Sequence, residues 1–150
     1  MTDLAVVVGS KNDIGKIQAG IEILEKFNIQ YELKVISAHR NPDKLRRFCK
    51  EIEKKNFKAV IACAGMAAAL PGFVASYVDI PVIGVALEGG FPGGIDALLS
   101  IVGVPKGLGL ASTGVGKSAF INAVIFFLEI MALKEKRYSS VLKEVKGTFK

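Results

Sequence analysis

His39 is the only histidine of the chain, and it stands in Ser37-Ala38-His39-Arg40, between the alternating run Tyr31 to Ile36 and Asn41-Pro42. An imidazole titrates at about 6.5, so it gives and takes protons near neutrality, where ordinary carboxylates and amines do not. A lone histidine with no context is more often a surface or capping residue. Here its neighbours are the hydroxyl of Ser37 and the guanidinium of Arg40, at the carboxyl end of a predicted parallel strand, where open α/β sheets hold their ligands.

Two further loops share that placement. The first predicted strand runs into Gly9-Ser10-Lys11-Asn12-Asp13, a small-residue turn opening a helix, where free amides and the Ser10 hydroxyl suit a phosphate. Asp13 is placed either to cap that helix or to accept sugar hydroxyls. The third strand runs into Ala64-Gly65-Met66-Ala67-Ala68-Ala69-Leu70-Pro71-Gly72, whose small side chains admit a planar ligand or, equally, tight helix packing. Together the three loops describe a site for a phosphorylated, ribosylated small molecule.

Other chemistry is weaker. Ser112-Thr113-Gly114-Val115-Gly116-Lys117-Ser118 approaches a phosphate-binding P-loop, but the glycine required five residues before Gly116 is Ala111. Turn glycines before a helix explain it better. Cys49 and Cys63 lie in a predicted helix and a predicted buried strand and read as small apolar packing, and standard zinc-ligand spacing is absent.

The elements that must position these loops alternate. Strands are expected at Leu4 to Val8, Tyr31 to Ile36, Ala59 to Ala64, Pro81 to Val85 and Gly107 to Ser112. Helices are expected at Ile14 to Phe27, Pro42 to Lys55 with Asn41 as N-cap, Leu70 to Val78, Ile95 to Val102, Lys117 to Leu133 and Lys134 to Lys146. This is the pattern of a parallel sheet covered on both faces by helices, in one domain of 150 residues with a C-terminal helix and tail from about Lys134.

Asn122 and Glu129 interrupt the apolar run Lys117 to Leu133, so a helix buried in the core or between subunits is expected there, and no membrane span. Its apolar content points to oligomerisation. The net charge of +6 is concentrated at the end: Lys134 to Lys150 holds six basic and two acidic side chains. A basic tail on a near-neutral body without a stacking platform reads as a solvated helix face, not a nucleic-acid surface. No leader is recognisable before Leu4, so a cytoplasmic protein is expected.

Gly9-Ser10-Lys11-Asn12-Asp13, Ser37-Ala38-His39-Arg40-Asn41-Pro42-Asp43 and Ala64-Gly65 through Leu70-Pro71-Gly72, in this order and spacing, closely resemble the PurE family of purine biosynthesis. The likeness continues through Pro81 to Val85, Gly94 to Val102 and Pro105-Lys106-Gly107. It implies a flavodoxin-like three-layer α/β/α subunit, a homo-octamer with the C-terminal helix packing on a neighbouring subunit, and an imidazole ribonucleotide substrate. The implied activity is 5-(carboxyamino)imidazole ribonucleotide mutase, without metal or organic cofactor. The resemblance assigns proton transfer to His39, and phosphate, ribose and carboxylate binding to Ser10, Asp13, Ser37 and Arg40. Ala38, Ala64, Gly65, Met66 and Leu70 complete the implied substrate contacts.

Two stretches depart from the pattern. The bacterial mutases usually read Gly-Gly-Ala-Ala-His-Leu-Pro-Gly after strand three, whereas this chain has Met66 for the second glycine and Ala69 for the histidine. Ala86 to Gly93 is richer in glycine and carries Glu88 and Phe91. Three alternatives stand beside the mutase. They are the carboxylase that uses aminoimidazole ribonucleotide and carbon dioxide directly, a paralogue similar to the PurE-like part of pyridinium biscarboxylate synthase, and a silent nucleotide-binding protein.

Overall fold

A computed structural model describes residues 1–66 and 68–150. The chain forms β1 (Leu4–Val8), α1 (Ile14–Lys26), β2 (Tyr31–Val35), α2 (Pro42–Lys54), β3 (Ala59–Ala64), α3 (Ala69–Tyr77), β4 (Val82–Ala86), α4 (Ile95–Val102), β5 (Ala111–Val115), α5 (Gly116–Ala132) and α6 (Lys136–Gly147). Short 3-10 turns at Lys11–Asp13 and Pro92–Gly94 lead into α1 and α4. The sheet order is β2-β1-β3-β4-β5 and every pairing is parallel, which is the flavodoxin-like order with its switch point between β1 and β3.

Alternation along β1 divides the core. Leu4, Val6 and Val8 face α1 and α5, while Ala5 and Val7 face the layer of α2, α3 and α4. All five are fully buried, as a central strand covered on both faces requires. Phe120 and Phe127 of α5 are fully buried too, each worth roughly 1.5–3 kcal/mol. The apolar run at 117–133 is therefore core, pressed between the sheet, α1 and α6. No helix of the described residues is long and apolar enough to cross a membrane.

Within the chain, α6 packs on α5. The Tyr138 hydroxyl donates to Asp3 Oδ2, Arg137 Nη2 donates to the same oxygen at 2.9 Å, and the Tyr138 ring meets Phe127 edge-on at 6.0 Å. Asp3 is almost fully buried, so these two donors satisfy a carboxylate that would otherwise be costly to bury.

The fifth strand lies further along than the sequence suggests. Gly107, at φ +97°, and a Pro105–Leu108 turn hold the chain away from the sheet. Pairing starts at Ala111 opposite Ile83 and reaches Val115 opposite Ala86 through a bulge containing Gly114 at φ +106°. The glycines of the P-loop-like string are thus spent on a strand bulge and a helix start. Asn41 occupies the N-cap position of α2 without a side-chain cap bond, while Pro42 takes the first helical position as expected.

Burial pushes the Cys49 thiol up to about 11, raises Cys63 well above the ordinary thiol range, and raises the Tyr138 phenol, which also donates to Asp3. Each group keeps its proton in the fold past the pH at which the unfolded chain releases it. The unfolded state then binds fewer protons, so stability is full below about pH 8.5 and falls as pH rises beyond it. Urea midpoints taken between pH 7.5 and 10.5 should decline over the upper half of that range, and Cys49→Ala should flatten the decline. A profile flat to pH 10.5 would contradict this account.

Candidate active site

The carboxyl ends of neighbouring strands set four loops side by side. Beyond β2 the ladder extends by one bond, Ile36 N–H to the Val8 carbonyl at 2.9 Å, so Ser37 leaves the sheet next to Gly9. Val8 pairs with Cys63 and Ala64 with Ala86, and Leu87 N–H donates to the Ala64 carbonyl at 3.0 Å. The lateral order is thus Ser37–Arg40, Gly9–Asp13, Gly65–Ala68 and Leu87–Gly94. The first three are the loops singled out in the sequence; Ala67 lies outside the described residues.

In the second of these loops, Ser10 Oγ accepts from the Asn12 amide at 3.2 Å and so caps the 3-10 turn. Asp13 makes no cap bond to α1. It is largely buried, and its Oδ1 pairs with Lys16 Nζ at 3.2 Å. Of the two roles left open for Asp13, the capping one is not what the structure uses.

The Ser37–Arg40 loop is a tight turn. Ser37 Oγ accepts from the Arg40 amide at 3.3 Å, and the Ser37 carbonyl accepts from Asn41 N–H at 2.9 Å. This holds His39 and Arg40 outward, both exposed, with Ala38 half-buried beneath them. Among the described residues Arg40 makes no ion pair, so its guanidinium is open to an anion.

The floor comes from β3. Ala64 is buried, and Gly65 lies so close to β4 that an added Cβ would stand 3.2 Å from the Leu87 carbonyl. Met66 is 63 % exposed at φ +54°, the left-handed region that a glycine occupies freely. The glycine expected there from the resemblance fits this backbone; methionine tolerates it at a cost of roughly 1–2 kcal/mol and adds an apolar side chain to the mouth of the site. Leu70 is buried in the α2/α3/α4 layer and supports the loop from below. Cys63 is fully buried with its thiol held protonated, which removes it as a nucleophile.

Sequence reasoning missed the fourth loop's role. Lys16, in the first turn of α1, donates to the Glu88 carbonyl at 2.7 Å while also holding Asp13. The i, i+3 spacing from Asp13 was the available signal for the first contact; the second spans 72 residues and leaves no local trace. Glu88 itself is exposed and has no ionic partner among the described residues. Asp96, in the first turn of α4, reaches back to this loop: a Cβ on Gly90 would lie 2.3 Å from its Oδ2. No cluster of three or more His, Cys, Asp or Glu is gathered among the described residues.

Comparison with known proteins identifies the family and agrees with the fold. A family model described as AIR carboxylase matches residues 3–150. N5-carboxyaminoimidazole ribonucleotide mutase of Saccharolobus solfataricus is 41 % identical over 144 residues, covering 96 % of this chain and 90 % of the relative. The protein of that name from Escherichia coli K12 is 37 % identical over 141 residues, covering 94 % and 83 %. The crystal structure of Treponema denticola PurE superposes with a TM-score of 0.83 at 25 % identity, over 97 % of this chain and 89 % of that one. Likeness in sequence and in fold thus runs nearly end to end, and the chain belongs to the AIR carboxylase family.

Proposed function

We propose that this chain is a 5-(carboxyamino)imidazole ribonucleotide mutase, moving a carboxyl group from the exocyclic nitrogen to the ring carbon to give 4-carboxy-5-aminoimidazole ribonucleotide. The observation that carries the reading is the Ser37-Ala38-His39-Arg40 turn, fixed by the Ser37 contacts directly beside Gly9–Asp13. The near-full-length likeness to proteins carrying the mutase name supports it.

In this reading His39 protonates the carbamate nitrogen, the N–C bond breaks, and carbon dioxide is released beside the aminoimidazole. The ring carbon attacks the carbon dioxide, and His39 takes the proton that the ring carbon loses. Atoms and charge balance, and the imidazole ends as it began. Ser10, Asp13, Ser37 and Arg40 hold phosphate, ribose and carboxylate, with Ala38, Ala64, Gly65 and Met66 against the ring and Leu70 behind them. Recapture of carbon dioxide needs a shielded site, and the exposed loops leave that shielding to assembly.

We therefore read residues 1–150 as one PurE-like unit of a homo-octamer in the cytoplasm, with 134–150 as C-terminal helix and tail able to meet a neighbour. Exposed Ile95, Leu99 and Val102, on one side of α4, are suited to burial between copies. Sedimentation should show an assembly well above 16.0 kDa.

The test is to incubate the protein with the carboxyamino ribonucleotide and, separately, with aminoimidazole ribonucleotide plus bicarbonate, following the carbon-carboxylated product. Turnover of the first alone establishes the mutase and shows that Ala69 needs no imidazole. Turnover of only the second would make it the direct carboxylase. Binding without product from either would make it a silent binder. Arg40→Ala should weaken ribonucleotide binding by roughly 10–100-fold through loss of one charge-assisted contact, read by calorimetry; wild-type affinity would place Arg40 outside the site.

A further inference from the structure

We propose that Lys16 is a positioning residue that latches the 87–94 loop to the 9–13 loop and so sets Asp13 for substrate, an inference that deepens the mutase reading and rests on it for its kinetic part. Its ammonium has three donors. One goes to Asp13 Oδ1 at 3.2 Å and one to the Glu88 carbonyl at 2.7 Å. The side chain is still 40 % exposed, which leaves the third to solvent.

The contact is placed to matter. A Cβ on Gly89 would lie 3.8 Å from Lys16 Nζ and 3.9 Å from both Gly65 Cα and Met66 Cγ. The ammonium therefore sits where the loops after β1, β3 and β4 converge, at the edge of the switch point. The 87–94 loop is otherwise hard to hold. It carries four glycines, and Gly93 and Gly94 have φ of +76° and +66°. Glycine-rich backbone loses the most entropy on ordering, so a charge-assisted bond at its first turn counts heavily. Asp13 is largely buried, and Lys16 compensates its charge through Oδ1, while Oδ2 makes no hydrogen bond among the described residues and is left for a ribose hydroxyl.

Loss of the latch has two signatures. In ligand-free Lys16→Met, amide hydrogen exchange across 87–94 should rise by about tenfold or more, with exchange in α6 unchanged. Against the carboxyamino ribonucleotide, KM should rise by roughly five- to tenfold while kcat stays within about twofold. Lys16→Arg, which retains the charge and the donors, should recover most of both. Unchanged exchange in the loop, or a kcat loss with KM unmoved, would overturn the proposal. If the wild type fails to turn over the ribonucleotide, the mutase reading fails, while the exchange experiment still decides the latch by itself.

Discussion

His39→Asn is expected to lose turnover by about 10²–10⁴-fold while keeping the fold and most of the ribonucleotide affinity. Asparagine keeps a polar, planar group of similar reach but carries no proton in the neutral range. The distinction matters because the proposed reaction asks one group to deliver a proton to nitrogen and recover one from carbon. No second imidazole is available to replace it, since His39 is the only histidine, and Cys63 is sealed in the core. The fold should not register the change, since His39 is exposed and the turn is fixed by Ser37 through Arg40 N–H and Asn41 N–H. Product formation against substrate concentration, with calorimetric binding alongside, checks it. Unchanged turnover would remove the imidazole from the mechanism, and lost binding would make His39 a contact rather than a proton carrier.

Most of the frame behind this expectation was legible in the sequence, for definite reasons. β1 and β3 are central and buried on both faces, so they read as short continuous apolar runs, and both were bounded correctly at Leu4–Val8 and Ala59–Ala64. α4 was bounded correctly because glycines stop at Gly94 and resume at Gly103. β5 was misplaced since its residues, Ala-Ser-Thr-Gly-Val, carry no apolar run, and an edge strand with a bulge has only one partner to define it.

The same division applies to the site. Loops read from the sequence are those whose residues are contiguous: Gly9 to Asp13, Ser37 to Arg40 and the stretch after Ala64. What the sequence concealed is cross-strand. Lys16 reaching the Glu88 carbonyl joins residues brought together only by the β1-β3-β4 ladder. Hydrogen bonds to backbone carbonyls are especially hard to foresee, because the partner's side chain does not enter. Glu88 contributes to the site through its carbonyl, with its exposed side chain left to solvent.

Gly20→Val should be the most damaging single change to the fold that lies far from the loops, costing about 3 kcal/mol or more. Gly20 is a buried position of α1 facing α5, beside Ile17, Ile21 and Leu24. A Cβ there would stand 2.2 Å from Phe120 Cδ1 and 2.6 Å from Cε1, well inside any real contact. The ring cannot step aside into solvent, since Phe120 is fully buried between α1 and the sheet. Replacing glycine within a helix normally gains up to about 1 kcal/mol, and a β-branched residue gains less. Here that gain is outweighed, because α1 and α5 must separate or Phe120 must leave its rotamer, and either opens gaps along the face that carries Leu4, Val6 and Val8. For a chain of this size the loss corresponds to a fall in Tm of about 6–12 °C. The contact is isolated by a cycle: Phe120→Ala alone should destabilise through its cavity, but Gly20→Val with Phe120→Ala should be more stable than the two losses added together, since the new side chain fills part of the space the ring leaves. Thermal and urea melts of the four proteins measure it. Strict additivity would mean that Gly20 and Phe120 are not packed face to face, and a Gly20→Val protein as stable as wild type would show that the two helices can separate at little cost.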